Sequence, residues 1–496
     1  MKYHLVTLGC QMNKSDSERT RTVIERMGFS WTDQEAEANF LGVLACSVRQ
    51  KSIDKVYSRI SKWNRWKKDK NLLTFVSGCM LPADKEKFLK LFDLVFTMDE
   101  LPDLDAMVRQ YGIVTPASLS SPDHTSQSPV HEPKQVQADK FLIENSAPDL
   151  LRVLGNQNVQ LQDQVRALKP NKDPEEIRQF WKVEPHYSSG FEAFIPIQNG
   201  CDKFCSFCAV PYTRGREVSR SSAEILKELS ELVKKGYKSI TLLGQNVNSY
   251  GLDKRGNEIP FHQLLEKIGE YGKYAGKEFW VYFTSPHPKD MSDDVIDVMA
   301  SYDCLANQVH LPVQSGDDRV LIRMNRNHNM DRYRNIIHTI REKLPAATLF
   351  TDIIVGFSGE TQEQFENTRM IMKEFRFNMA YIAMYSPRPG ATSSRWEDDI
   401  PLEVKKERLR VLTDELIKYN RIYNRNLIGR KLRVLVTGHD RKEGYLRGLT
   451  EGKLIVRFPS DDSGLIGKFT DIQINSAADF SLEGEKLAII EALNES

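Results

Sequence analysis

The chain has 496 residues, more than one compact core usually spans, so about three domains are expected. With 69 Lys and Arg against 68 Asp and Glu the formal net charge is +1, which excludes only a uniformly basic nucleic-acid binder and confines any such surface to a local patch. No apolar run approaches the ~18 residues of a membrane span, residues 1–14 hold too short an apolar stretch for a secretory leader, and seven cysteines are too few and too unevenly spaced for a disulfide framework; a cytoplasmic chain without a membrane partner is expected.

In chain order, residues 3–8, 40–45 and 72–76 are short apolar runs rich in Val, Leu and Phe, and helical patterns follow them over 15–27, 48–66 and 82–92. This βα repetition predicts a small open parallel sheet, with 94–97 as a fourth strand. Three cysteines lie within three residues of strand ends, in Thr7-Leu8-Gly9-Cys10, Val43-Leu44-Ala45-Cys46 and Val76-Ser77-Gly78-Cys79. The carboxyl ends of parallel strands line the ligand crevice of such a sheet, so the three thiols are expected to converge there. Residues 116–139, with four Pro and five Ser, have linker composition, and 141–154 and 174–181 carry short helical patterns without recognisable chemistry.

From 191 to about 399 the alternation resumes on a larger scale, with strands expected at 193–197, 239–243, 279–283, 308–313, 350–355 and 379–385 and helices such as 223–235 and 330–343 among them. Six strands with crossovers predict a partial or full α/β barrel with its chemistry at the strands' carboxyl ends. A charged helix over 402–426 then leads to β-rich runs at 431–437, 445–449, 454–458 and 469–474, spaced as in a small antiparallel β-barrel. The expected organisation is an open parallel α/β domain over 1–110, a partly disordered connection over 111–190, an α/β barrel over 191–400, a connecting helix over 401–428 and a β-barrel over 429–496.

The most informative stretch is Gly200-Cys201-Asp202-Lys203-Phe204-Cys205-Ser206-Phe207-Cys208, three thiols in one loop directly after a strand. A structural zinc site would want a fourth Cys or His at comparable range, and the next histidine is His262. Iron-sulfur clusters are commonly held by four thiolates, so three imply an iron with an open coordination position. A hydrated, glycine-led loop is a poor home for three inert buried thiols. Cys304 stands apart and reads as a free half-buried thiol.

This cluster resembles that of radical S-adenosylmethionine enzymes, and the flank Pro211-Tyr212-Thr213-Arg214-Gly215-Arg216 is similar to their methylthiotransferase branch. Within that branch, Leu8-Gly9-Cys10-Gln11-Met12-Asn13, followed by Ser15-Asp16-Ser17-Glu18, resembles the tRNA methylthiotransferases that act on isopentenyladenosine. Further matches are Ala45-Cys46-Ser47-Val48-Arg49, Ser77-Gly78-Cys79-Met80, the stretch from His310 to Gly316, the stretch from Asp352 to Glu360, and Tyr385-Ser386-Pro387-Arg388-Pro389-Gly390. They occur in family order and cover nearly the whole chain outside about 110–190.

The resemblance implies that Cys201, Cys205 and Cys208 hold a 4Fe-4S cluster whose open iron chelates S-adenosylmethionine, and that Cys10, Cys46 and Cys79 hold a second 4Fe-4S cluster through which sulfur is attached. One S-adenosylmethionine would methylate that sulfur, and another would supply the 5′-deoxyadenosyl radical that takes hydrogen from carbon 2 of an adenine next to the anticodon. The implied cofactor-binding residues are Phe207, then Gly244, Gln245 and Asn246 at a strand end, Gln314 and Ser315 at another, and Ile354, Gly356 and Glu360 around a βα turn; Arg220 and Arg388 are cationic candidates. A one-electron donor such as flavodoxin or ferredoxin, a sulfur donor and the anticodon arm of tRNA are the implied partners. Leu44-Ala45 departs from the Asn-Thr of the family pattern, so hydrogen bonds around the second cluster are expected to differ. Sister activities on threonylcarbamoyladenosine in tRNA or on an aspartate of a ribosomal protein remain alternatives, as does a non-catalytic iron-sulfur RNA-binding protein.

Over 403–457 there are 15 Lys and Arg against seven Asp and Glu, whereas 458–496 holds two against eight. A basic stretch leading into a small β-barrel suits phosphate tracking, and the C-terminal module resembles the TRAM domain that delivers tRNA in this family. A second basic run, 51–70, includes Trp63 and Trp66 and reads either as an RNA contact or as a solvated helix with its Trp residues packed inward.

Overall fold

Every position of Phe40–Cys46 is buried, as in a strand covered on both faces. In the computed structural model this strand, β3, is central in an all-parallel sheet of order β2-β1-β3-β4-β5, where β1 is Lys2–Thr7, β2 Ser30–Trp31, β4 Leu73–Cys79 and β5 Leu94–Val95. The structure describes residues 1–47, 50–112, 174–254 and 256–487, so the expected linker, the helical pattern at 141–154 and the motif residues Val48 and Arg49 lie outside it. The described chain forms two compact units, 1–186 and 187–496.

In the first unit the strand order reverses beside β1, which makes the carboxyl ends of β1 and β3 the switch point where open α/β sheets bind ligands. The sheet is built by close packing: a Cβ at Gly42 would lie 2.0 Å from the Phe75 ring. The first helix, Gln11–Arg26, starts earlier than the expected residue 15, with Cys10 in extended conformation at its N-cap. Its first turns are buried by polar side chains, Asn13, Ser15, Asp16, Glu18, Arg19 and Thr20, so apolar periodicity does not mark the start. The Arg19 guanidinium donates to Ser15 Oγ at 2.9 Å and lies 5.6 Å from the Phe180 ring of helix Pro174–Lys182. Helix Gln50–Trp66 buries Trp63 completely, so that ring is not free to stack on a base, and Lys62 Nζ lies 4.6 Å from the centroid of the half-buried Trp66 ring.

The second unit holds two parallel sheets of three strands. β6 (Glu192–Pro196), β9 (Ser239–Leu243) and β10 (Trp280–Phe283) run in order β10-β9-β6; β11 (Gln308–His310), β12 (Thr348–Val355) and β13 (Met379–Met384) run in sequence order. A parallel bridge between Val281 and Leu305 joins them, giving a six-strand partial barrel. Val281, Phe283, Val309, Ile353 and Val355 pack outward on the helices as one core. A short ribbon, β7 (Gln198–Asn199) with β8 (Val218–Ser219), frames the loop after β6.

Helix Leu402–Arg425, expected as a charged connector, packs on the barrel and buries Lys405, Arg408, Leu412, Glu415 and Leu416. Beyond it lies a closed barrel of order β14-β15-β16-β18-β17: β14 Lys431–His439, β15 Tyr445–Thr450, β16 Ile455–Pro459, β17 Phe469–Ala477 and β18 Ser481–Lys486. This module closes the amino-terminal end of the larger barrel. Phe469 packs on Trp280 at 4.5 Å between ring centroids, Lys453 Nζ sits 4.0 Å from the Tyr282 ring, Thr348 Oγ1 donates to Gly452 O at 2.7 Å, and Asn307 N donates to Glu451 Oε1 at 2.8 Å.

Candidate functional site

Cys46 and Cys79 end β3 and β4 and are paired in register, and Cys10 follows β1 by three residues, so the three cysteines sit at the carboxyl edge of three adjacent strands. Cys46 and Cys79 are buried and Cys10 is exposed. Gly9 has φ +117°, and a Cβ there would stand 2.7 Å from Cys46 Cβ and 3.2 Å from Cys46 Sγ; only glycine leaves that space open. Asn13 ties the three ends together. Its Nδ2 donates to Leu8 O at 2.7 Å and Ala45 O at 2.8 Å, and Cys79 Sγ donates to its Oδ1 at 3.5 Å.

In the barrel, Gly200 at φ +81° turns the chain into the cysteine loop; a Cβ there would lie 2.0 Å from Arg216 O. The loop is held from several sides. Gln245 Oε1 accepts from Gly200 N, Ser206 N donates to Met324 O at 3.0 Å and its Oγ to Arg323 O at 2.8 Å, and Asn325 Nδ2 donates to Phe204 O at 3.0 Å. Lys203 pairs with Asp290 at 2.6 Å, and Asp290 also accepts from Asn246 Nδ2 at 2.9 Å. Burial pushes the Cys201 thiol up to about 12 and the Cys208 thiol up to about 11, so the bare thiols are neutral near pH 7 and metal binding there releases protons. Burial also raises the nearby Glu217 carboxyl to about 7.

The residues expected from sequence divide into two groups. Gln245 bonds the cysteine loop at Gly200 N, Asn246 bonds Asp290, which pairs with Lys203 of that loop, and Gln314 lies beside Ile354, bonded through Gln314 N to Asp352 O at 2.9 Å and Ile354 N to Gln314 O at 3.0 Å. Phe207 packs with Ile354, Phe357 and Tyr385. Gly244 lies against Gln198, whose Oε1 is 2.9 Å from where a glycine Cβ would be. The others turn elsewhere. Ser315 Oγ meets Thr368 Oγ1 at 3.3 Å; Glu360 accepts from Gly356 N at 2.6 Å and pairs with buried Arg408 at 2.7 Å; and Arg220 pairs with Glu224 and Glu228 on helix Ser222–Lys234. Arg388 is half-buried in the turn after β13.

Sequence reasoning missed Asn13, Arg326, His287 and His328. Arg326 Nη1 lies 3.5 Å from Cys205 Sγ. His287 Nδ1 accepts from Lys289 N at 3.1 Å, so the ring proton is assigned to Nε2; burial holds this histidine far below its usual range and lowers His328 to about 4. For Asn13, inside the first cysteine motif, and Arg326, in Met324-Asn325-Arg326-Asn327-His328, the residues were in view, but contact with a cysteine three strands or more than a hundred residues away leaves no local pattern.

The residues fit the cofactors that this arrangement suggests. Gln198 Oε1, Asn246 Oδ1 and His287 Nε2 are buried polar atoms with no partner among the described residues, at strand ends around the cysteine loop. Each costs about 1–3 kcal/mol unless a polar ligand or water meets it. Among the described residues no three His, Cys, Asp or Glu side chains converge closely enough to hold one metal ion. In a cluster each thiolate binds a different iron, so the thiols need not meet at one point, as a tetrahedral zinc site would demand.

The family model for the Radical SAM superfamily matches residues 195–370, that for Uncharacterized protein family UPF0004 matches 2–98, and that for the TRAM domain matches 425–487. A tRNA-2-methylthio-N(6)-dimethylallyladenosine synthase of Hahella chejuensis is 32% identical over 490 residues, covering 98% of both chains, and that of Francisella tularensis subsp. novicida is 35% identical over 491 residues with the same coverage. Among solved structures, the radical S-adenosylmethionine methyltransferase TsrM of Kitasatospora setae aligns with 77% of this chain and 72% of its own at 12% identity and a TM-score of 0.47. With identity above 30% along nearly its whole length, the chain belongs to the tRNA-2-methylthio-N(6)-dimethylallyladenosine synthase family.

Proposed function

We propose that this enzyme methylthiolates carbon 2 of N6-isopentenyladenosine next to the anticodon of tRNA. The observation that carries the reading is the presence of two strand-end thiol triplets in one chain, Cys10, Cys46 and Cys79 on the open sheet and Cys201, Cys205 and Cys208 after β6. Two three-thiolate sites each leave a coordination position for a reactant, which a structural cluster does not need. Bound at the barrel loop, a 4Fe-4S cluster with S-adenosylmethionine supplies a one-electron route to a carbon radical. The chain's own part is to hold and exclude. Gln245 and the Lys203–Asp290–Asn246 chain fix the loop, Phe207, Ile354 and Phe357 make an apolar wall, and Gln198, Asn246 and His287 offer polar atoms to a ligand. Cys10, Cys46 and Cys79 are assigned to a second 4Fe-4S cluster that carries the sulfur. The division into domains at 1–110, 191–400 and 429–496, the anticodon arm as binding partner, an external electron donor of the flavodoxin or ferredoxin class and an external sulfur donor belong to the same reading.

Mass spectrometry of tRNA nucleosides from cells with and without the gene tests it. Loss of 2-methylthio-N6-isopentenyladenosine with build-up of its unthiolated precursor is expected. An unchanged level, with another methylthiolated nucleoside missing, would move the assignment to a sister activity.

A further inference from the structure

Arg326 lies in a turn that the fold holds under strain. Its neighbours Asn325 and Asn327 both adopt left-handed backbone conformations, φ +54° and +53°, which asparagine tolerates better than most residues. The turn is tied to the cysteine loop through Asn325 Nδ2 to Phe204 O and Lys203 O, and through Ser206 to Arg323 O and Met324 O. Within this clamp Arg326 is 5% exposed, and its guanidinium donates from Nη2 to Pro312 O at 2.8 Å and lies with Nη1 3.5 Å from Cys205 Sγ, while Nε has no partner among the described residues. Among the described residues no carboxylate pairs with it. A guanidinium stays charged at any working pH, and a buried charge without a counter-ion is strongly destabilising. The group that answers this cation is therefore at the sulfur it touches.

We propose that Arg326 is a positioning residue for the radical centre, and that its hydrogen bond to Cys205 Sγ stabilises the reduced form of the cluster held by Cys201, Cys205 and Cys208. This rests on the reading of those three cysteines given above. Hydrogen bonds and charge near the sulfurs set the potential of an iron-sulfur centre, and a buried cation favours the state carrying one more electron. Reduction takes that electron from the external donor already required, and no bond or proton changes at Arg326.

The test is an EPR-monitored redox titration with iron analysis of the full chain, in a background where Cys10, Cys46 and Cys79 are Ala so that one centre is loaded. Arg326→Gln should keep its iron and show a reduced-to-oxidised ratio about tenfold lower at a fixed poise, equivalent to about 59 mV for a one-electron couple. Arg326→Lys, which keeps the charge but cannot bridge to Pro312, should show a smaller shift. Full iron with an unmoved potential overturns the proposal, and if S-adenosylmethionine binding weakens as well, Arg326 serves that ligand's carboxylate instead. Loss of iron from both variants overturns it in favour of a purely structural role. Absence of an iron-sulfur signal from the background protein itself would instead sink the assignment of the three cysteines.

Discussion

Asn13 shows how one side chain can assemble a site from separate strands. Two donated hydrogen bonds and one accepted bond link the ends of β1, β3 and β4, each of which carries a cysteine. Asn13→Ala leaves the Leu8 and Ala45 carbonyls without these donors, at a cost of about 1–3 kcal/mol per buried unpaired group. Iron in the reconstituted protein should fall from the about eight per chain that two clusters would hold toward about four, since only the cluster proposed for the open sheet would lose its frame. Unchanged iron by colorimetric analysis would show that the strand ends hold their geometry without it. The thiol triplets were legible because cysteines at strand ends are a positional pattern, and position follows from the hydrophobic runs. Side-chain direction was not. Ser315, Glu360 and Arg220 all lie at or near strand ends, yet their side chains point to Thr368, Arg408 and the carboxylates of helix Ser222–Lys234, a choice made by packing.

At the level of elements, the apolar strands and the amphipathic helices followed their sequence patterns, as with β9, β10 and helix Met330–Lys343. β2 and β18 escaped for different reasons: β2 has only two residues, and β18 reads Ser481-Leu482-Glu483-Gly484-Glu485-Lys486, where only Leu482 and Gly484 turn inward. Helix Leu402–Arg425 is the instructive case, because its charge suggested no more than a connector. Its buried Arg408 bonds Glu360, which in turn accepts from Gly356 N, so one ion pair fastens this helix to the βα turn beside Ile354. Removing one partner of a buried pair strands the other charge, and Arg408→Ala should lower stability by about 3–5 kcal/mol. The double variant Glu360→Gln with Arg408→Met should recover part of that loss, since Gln can still accept from Gly356 N. Thermal melts of the full chain decide it, and an equal loss in the single and double variants would mean that Arg408 acts through packing alone.

For the whole molecule, the +1 total conceals two opposed segments, and in space those segments meet. Arg421 pairs with Asp479 at 2.8 Å, Lys431 and Arg433 with Asp471 at 2.8 and 3.3 Å, and Lys442 with Glu483 at 3.2 Å, so acidic residues after 458 neutralise part of the basic stretch before it. The charge asymmetry along the chain thus overstates the basic surface available to tRNA. The same module has a second duty at the floor of the larger barrel, where Trp280, Tyr282, Ala306 and Leu435 form a shared apolar core with Phe469 alongside. Arg433 also spans the seam to Glu278, at 2.6 Å. A tethered RNA-binding arm would be removable without harm to the barrel; a floor would not. Deleting 429–496 uncovers Trp280 and Tyr282, each a loss on the scale of about 1.5–3 kcal/mol of burial. The truncated chain should melt below the full protein and bind a hydrophobic dye, with fast amide exchange at the first residues of β10 and β12. The full-length variant Phe469→Ala should give a milder form of the same change. A truncated chain that melts at the parent temperature without dye binding would make the module an independent arm, and its loss would then affect tRNA binding alone.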